Sequence, residues 1–184
     1  MKIISHSVKD TFNLAKKMAA ELHGGEVLCL IGDLGAGKTA FTKGLAAGLG
    51  VTNTITSPSF VLMKVYPVTF SSPLRKGRLG GVECLAHIDA YRLSDGGQLA
   101  DIGVLDYFKD SNCITVIEWA DRVYPVKLLD KYVKLKCNME KFVKNLKPDE
   151  LGVFNRVKDI WPKQVIKIEF KILKGDKREI KIVS

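Results

Sequence analysis

The stretch GDLGAGKT, residues 32–39, matches the phosphate-binding loop pattern GxxxxGK[ST] at every fixed position. A short apolar run, EVLCLI (26–31), precedes it and has the length of a buried strand. The residues that follow, TAFTKGLAAGLG (39–50), are expected to form a helix that ends at its glycines. The match therefore lies in the strand–loop–helix context that such a loop requires, and it decides the fold.

The residue types in this loop suit a bound phosphate chain. Glycines let backbone N–H groups turn towards phosphate oxygens, and the following helix presents its positive N-terminal end to the same anion. Lys38 would reach the β- and γ-phosphates, and the Thr39 hydroxyl would ligate Mg²⁺. The residues expected to contact the nucleotide are Asp33, Gly35, Ala36, Gly37, Lys38, Thr39 and Ala40. The guanine signature NKxD is absent, which favours ATP; the alternative is a glycine-rich turn that binds nothing.

Two acidic residues are candidates to complete the site. Asp89 ends the apolar run CLAHID (84–89), and Glu118 ends the apolar run CITVIE (113–118). In an open parallel sheet, the carboxyl ends of the strands point into the crevice where ligands bind. One acid would hold Mg²⁺ and the other would orient the attacking water, but the spacing does not assign the roles. Either could instead cap a helix.

Composition and charge narrow the classes of protein. The chain is 46% hydrophobic and 27% charged, which is ordinary for a globular domain, and its length suits one domain. No apolar run is long enough to span a bilayer, and the first residues, MKIISHSVKDTF, lack the apolar region of a signal peptide. We therefore expect a cytoplasmic protein. The net charge of +9 favours anionic partners such as nucleotide or RNA, but a solvated basic surface is the simpler explanation.

The order of these patterns predicts the architecture. Residues 8–22 have the apolar spacing of an amphipathic helix, and residues 60–66 form a further strand candidate. The tail, 165–184, alternates on both sides of Lys-Gly-Asp, which indicates a hairpin. We predict an α/β, P-loop NTPase-like three-layer sandwich with a mainly parallel central sheet and a C-terminal antiparallel hairpin.

One segment departs from this pattern. Residues 124–158 are rich in lysine, with a helix expected around 139–146, and we interpret them as an insert into a single domain that spans 1–184. The simplest interpretation is a surface elaboration; contact with tRNA or a protein partner is the alternative. The four cysteines have no metal-binding spacing and are expected to be reduced thiols, mostly in the core: Cys29, Cys84, Cys113 and Cys137.

Four segments in this order resemble the TsaE family, bacterial ATPases of tRNA threonylcarbamoyladenosine biosynthesis. They are GDLGAGKTAFTKGLAAGLG, TSPSF, HIDAYRL and VIEWADR, and the resemblance covers roughly residues 5–123 and the tail from about 159. It implies slow ATP hydrolysis with Mg²⁺, in association with the TsaD–TsaB pair that transfers threonylcarbamoyl to N6 of adenosine 37. It implies indirect or transient contact with tRNA, and no membrane or DNA partner.

The resemblance also implies roles for individual residues. Thr39 and Glu118 would be the Mg²⁺ ligands, and Asp89 would be a second acid near the γ-phosphate. Trp119 would flank the site, and Thr11 on the first helix would lie near the nucleotide. The loop TSPSF (residues 56–60) would be a nucleotide-sensing switch.

Some features depart from the family pattern or suit other functions. Position 40 is Ala, where the family commonly has Thr or Ser, so one hydroxyl near the α-phosphate is missing. A small-molecule kinase is an alternative, with LRKGR (74–78) or the 124–158 segment as a lid over the phosphates. A nucleotide-binding interaction protein without useful hydrolysis is another. The kinase alternative does not account for the HIDAYRL and IEWADR segments.

Overall fold

The structure is a computed structural model that describes residues 1–58, 61–69, 81–155, 158 and 161–184. Within these residues, seven strands form one sheet in the order β1-β7-β6-β2-β5-β4-β3. The strands are β1 (Lys2–Ser5), β2 (Glu26–Gly32), β3 (Met63–Pro67), β4 (Cys84–Asp89), β5 (Cys113–Glu118), β6 (Gln164–Ile172) and β7 (Arg178–Val183). The four central strands are parallel, whereas β1, β7 and β3 pair antiparallel to their neighbours. The predicted central sheet and C-terminal hairpin are confirmed.

Helices cover both faces of the sheet. They are α1 (Val8–Met18), α2 (Lys38–Leu49), α3 (Gly97–Asp101), α4 (Val104–Lys109), α5 (Val126–Lys134), α6 (Met139–Lys144) and α7 (Pro148–Phe154). The helices α1 and α2 pack in one apolar cluster on one face, and residues of α3–α7 pack in a second cluster on the other. This is the expected three-layer arrangement. No helix in the described ranges is long and apolar enough to cross a bilayer.

The pair α1–α2 packs closely because α2 carries a glycine at the contact. A Cβ atom at Gly44 would lie 2.1 Å from the carbonyl oxygen of Phe12 on α1, which no side chain tolerates. Ser7 caps α1, because its side chain accepts a hydrogen bond from the backbone N–H of Asp10. The close contact fixes α2, and therefore the loop in front of it, against the first helix.

The segment 124–158 is more than the surface elaboration we expected. It contains α5, α6 and α7, and its apolar side chains join the core cluster that includes Cys29 of β2 and Val165 of β6. Aromatic rings hold it together: Phe142 stacks on Trp161, with ring centroids 5.4 Å apart and an interplanar angle of 22°. Phe142 is fully buried, and the apolar side chains of the segment pack against one face of the sheet.

Some local features differ from the predictions, and residues of two predicted segments lie outside the described residues. Cys84 and Cys113 form a disulfide between β4 and β5, so the prediction of reduced thiols is wrong for this pair, while Cys29 and Cys137 are free. The edge strand β1 was not predicted. Ser59 and Phe60 of TSPSF, and the whole of LRKGR (74–78), lie outside the described residues.

Candidate functional site

The loop between β2 and α2 has the conformation its glycines allow. Gly37, which precedes α2, has a φ of 104°, in the left-handed region that a side chain would strain. The backbone N–H of Phe41 donates to the carbonyl oxygen of Gly37 at 2.9 Å, which starts the hydrogen bonding of the helix. Because α2 is 12 residues long, its N-terminus carries the partial positive charge of a complete helix dipole, and the loop lies at that end.

Lys38 is buried at the start of this helix. Its ammonium donates to the carbonyl oxygens of Gly32 at 2.6 Å and Asp33 at 2.8 Å. It also lies 3.5 Å from the centroid of the Trp119 ring, which is a cation–π contact. Burial lowers the pKa of Lys38 from its ordinary value, and the nearby Glu118 carboxylate acts in the opposite direction. The side chain is therefore a partly desolvated cation aimed at the loop.

The two predicted acids lie side by side, because β4 and β5 are neighbours and pair Asp89 with Glu118. Glu118 is 2% exposed, and its Oε2 accepts a hydrogen bond from Thr39 Oγ1 at 2.8 Å. Asp89 accepts from Ser57 Oγ at 2.7 Å and from the backbone N–H of Tyr91 at 3.2 Å. The site thus places two carboxylates and two hydroxyls next to the loop.

A cavity of about 420 Å³ joins these groups. It is lined by Leu34, Gly35, Gly37, Lys38, Thr39, Ala40, Ser57, Asp89, Tyr91, Arg92, Glu118 and Trp119. Of the residues predicted to contact the nucleotide, Asp33, Ala36 and Thr11 are not among them. Thr11 is fully buried behind the loop, where its Oγ1 lies 2.7 Å from Ser5 Oγ.

The rim of the cavity is apolar and aromatic. Leu34 is 81% exposed and Tyr91 is 51% exposed. The Tyr91 ring lies 5.0 Å from the Trp119 ring, and the Arg122 guanidinium lies 5.6 Å from the Tyr91 ring. Trp119 itself has a φ of 60°, an uncommon conformation for a bulky residue, and such strain is concentrated at functional sites.

The donor set fits Mg²⁺. The Thr39 hydroxyl and the Glu118 carboxylate supply hard oxygen ligands, which this ion prefers. In the described part of the chain, no group of three or more His, Cys, Asp or Glu side chains could hold a metal. Mg²⁺ is usually held by one or two protein ligands, with phosphate oxygens and water completing its shell. The site therefore suits a metal that arrives with a nucleotide.

Two residues at the site were missed from the sequence. His87 contacts Glu118 Oε1 through Nε2 at 2.8 Å, and Thr42 Oγ1 lies 3.2 Å from the same oxygen. A signal was present for each: Thr42 is one helical turn after Lys38, and His87 is two residues before Asp89 on the same face of its strand. Neither spacing indicated the shared contact with Glu118.

The chain is similar to proteins of one family along most of its length. A family model described as "Threonylcarbamoyl adenosine biosynthesis protein TsaE" matches residues 5–146. Relatives named tRNA threonylcarbamoyladenosine biosynthesis protein TsaE include one from Bacillus subtilis, 41% identical over 61% of this chain and 61% of its own length. Another, from Treponema pallidum, is 40% identical over 67% of this chain and 81% of its own length.

A solved structure extends the similarity to the fold. A crystal structure of Bacillus subtilis YdiB matches with a TM-score of 0.61 and 27% identity, covering 100% of this chain and 84% of the other. The chain spans less than two thirds of the length of several relatives, among them the Bacillus subtilis protein at 61% and a Streptomyces coelicolor protein at 66%.

Proposed function

This chain belongs to the TsaE family, and on that premise we propose that it is the ATP-binding and ATP-hydrolysing component of the machinery that makes N6-threonylcarbamoyladenosine at position 37 of tRNA. One observation carries the proposal. Thr39 Oγ1 and Glu118 Oε2 meet at 2.8 Å beside the buried Lys38, which is the arrangement that Mg²⁺-dependent phosphoryl chemistry requires.

Each residue of the site has a proposed task. Lys38 and the loop N–H groups would bind the β- and γ-phosphates, while Thr39 and Glu118 would hold Mg²⁺. When bound, Mg²⁺ supplies positive charge that offsets the charge of the phosphate oxygens. Asp89, which Ser57 already contacts, would orient the attacking water, and Ser57 would link the site to the switch loop.

The surroundings of the cavity favour a protein partner. Apolar and aromatic side chains at the mouth of a polar pocket, such as the exposed Leu34 and Tyr91, are typical of surfaces that another protein covers. We propose that this partner is the TsaD–TsaB pair, and that tRNA meets the chain only indirectly or transiently. We propose further that the chain acts in the cytoplasm and has neither DNA nor a membrane as a partner.

Reconstitution tests the proposal. Purified TsaD and TsaB, with the threonylcarbamoyl donor and a tRNA transcript that has adenosine at position 37, are assayed for modified nucleoside with and without this chain. We expect repeated turnover only when the wild-type chain and ATP are present. Glu118→Gln, which keeps the size of the side chain, should reduce turnover by roughly 100-fold, the scale seen when a group that stabilises transition-state charge is lost. Full turnover without the chain would refute the proposal.

A further inference from the structure

The two oxygens of the Glu118 carboxylate have different surroundings. Oε2 faces the Thr39 hydroxyl at the cavity. Oε1 points into the protein, where His87 Nε2 lies at 2.8 Å and Thr42 Oγ1 at 3.2 Å. Oε1 is therefore hydrogen-bonded to buried side chains, and Oε2 is the oxygen that faces the cavity.

His87 is the better donor of the two contacts to Oε1. The Thr42 hydroxyl has one proton, and the carbonyl oxygen of Lys38 lies 3.1 Å away and competes for it. The carboxylate of Glu118 can only accept, so the imidazole must donate through an N–H at Nε2. Without His87, the Thr42 hydroxyl would be the one described group left to hold Oε1, and it shares its proton with the Lys38 carbonyl oxygen.

Packing alone does not explain a histidine at this position. His87 is 0% exposed, and among the described residues its Nδ1 has no hydrogen-bond partner. Buried polar atoms are normally paired, and an apolar side chain on this strand would fill the space without an unpaired nitrogen. The polar contact that His87 does make is with Glu118, which points to a role at that carboxylate.

We propose that His87 is a positioning residue that holds Glu118 so that Oε2, and not Oε1, faces the metal and Thr39. This inference rests on the proposed function, since it concerns the same metal site. Groups that orient a ligand from behind typically change metal affinity or activity by about 10–100-fold when they are removed. His87 thus sets the metal affinity without touching nucleotide or metal.

The test compares two substitutions at the same position. His87→Leu keeps a side chain of similar burial but removes the donor, while His87→Gln places an amide N–H near the original Nε2. Mn²⁺ is titrated into the ATP-bound protein and followed by its paramagnetic resonance signal, and ATP affinity is measured separately in EDTA. We expect His87→Leu to weaken Mn²⁺ binding by roughly 10–100-fold, with unchanged ATP affinity in EDTA, and His87→Gln to restore most of the Mn²⁺ affinity.

The outcomes separate the inference from the function on which it rests. Wild-type Mn²⁺ affinity in His87→Leu would overturn the inference alone, as would equal losses of ATP affinity with and without metal. A wild-type chain that binds no Mn²⁺ with ATP would overturn both. If His87→Leu does not fold, Thr42→Val is measured instead. This variant removes the hydrogen bond that Thr42 shares between Glu118 and Lys38, and it should weaken Mn²⁺ binding by less than 10-fold. A larger loss would assign the positioning to Thr42.

Discussion

The ammonium of Lys38 lies between two backbone carbonyl oxygens and the face of the Trp119 ring. These contacts keep a buried cation pointed at the loop, although burial lowers its pKa. Of the acids that oppose this shift in pKa, Glu118 has the largest effect, so the group remains suited to bind an anion. For this reason we expect Lys38 to contribute much of the proposed affinity for phosphate.

Replacing this lysine should weaken ATP binding without unfolding the chain. Hydrogen bonds to charged groups contribute about 1.5–3 kcal/mol, so Lys38→Ala should raise the Kd for ATP by roughly 10–150-fold in calorimetry. Lys43→Ala is the matched control, because Lys43 is an exposed lysine on the same helix. Equal affinities of Lys38→Ala and Lys43→Ala would remove Lys38 from the nucleotide site.

The fluorescence of Trp119 should change when ATP binds. When ATP draws the Lys38 ammonium towards its phosphates, the cation–π contact weakens, and the fluorescence of Trp119 should change. The second tryptophan, Trp161, lies in the aromatic core and serves as an internal reference. Trp119→Phe should abolish the fluorescence change on titration with ATP. An undiminished fluorescence change in Trp119→Phe would show that the signal comes from another residue.

At the scale of elements, helices α5–α7 are part of the core in spite of their many lysines. Phe142 is fully buried against Tyr132, Phe154 and Trp161, whereas its neighbour Val143 is 39% exposed. Phe142→Ala should lower the free energy of unfolding by about 3–5 kcal/mol in urea denaturation. Val143→Ala, the control, should change it by less than about 0.5 kcal/mol. Similar values for both variants would show that the segment is peripheral.

The disulfide between β4 and β5 can be tested by counting the free thiols of the protein. The Cα atoms of Cys84 and Cys113 are 4.8 Å apart, within the range that a disulfide spans. Denatured protein purified without reductant should therefore show two thiols, Cys29 and Cys137. Burial raises the pKa of Cys29 to about 12, so in the native state at pH 8 it should resist alkylation. Four thiols in the denatured, unreduced protein would restore the prediction of reduced cysteines.

At the scale of the whole molecule, much of the fold follows from local patterns. The loop pattern fixed the strand and helix around it, and the apolar runs of β4 and β5 showed buried strands with an acid at each end. Strand β1 was missed because four residues at a sheet edge are too few to show a period. The core role of α5 was missed because its lysines obscured an apolar stripe of Leu128, Leu129, Tyr132 and Val133.

The site was predictable to a lesser degree. The residues of the loop and the two acids were identified because their chemistry depends on spacing along the chain. The contact of His87 with Glu118 depends on the pairing of β4 with β5, and a single sequence does not give that register. The resemblance placed Thr11 near the nucleotide, and this stays a prediction: the structure buries Thr11 beside Gly37 of the loop.

We propose that this molecule is an ATPase whose activity serves the TsaD–TsaB pair. The most direct measurement is the rate of ATP hydrolysis by the chain, alone and with its cognate pair, with Lys38→Ala as control. We predict slow hydrolysis by the chain alone, a changed rate when the pair is added, and loss of both in the variant. A rate that does not respond to a pair shown to associate with the chain would contradict the claim, as would a pair that fails to associate at all.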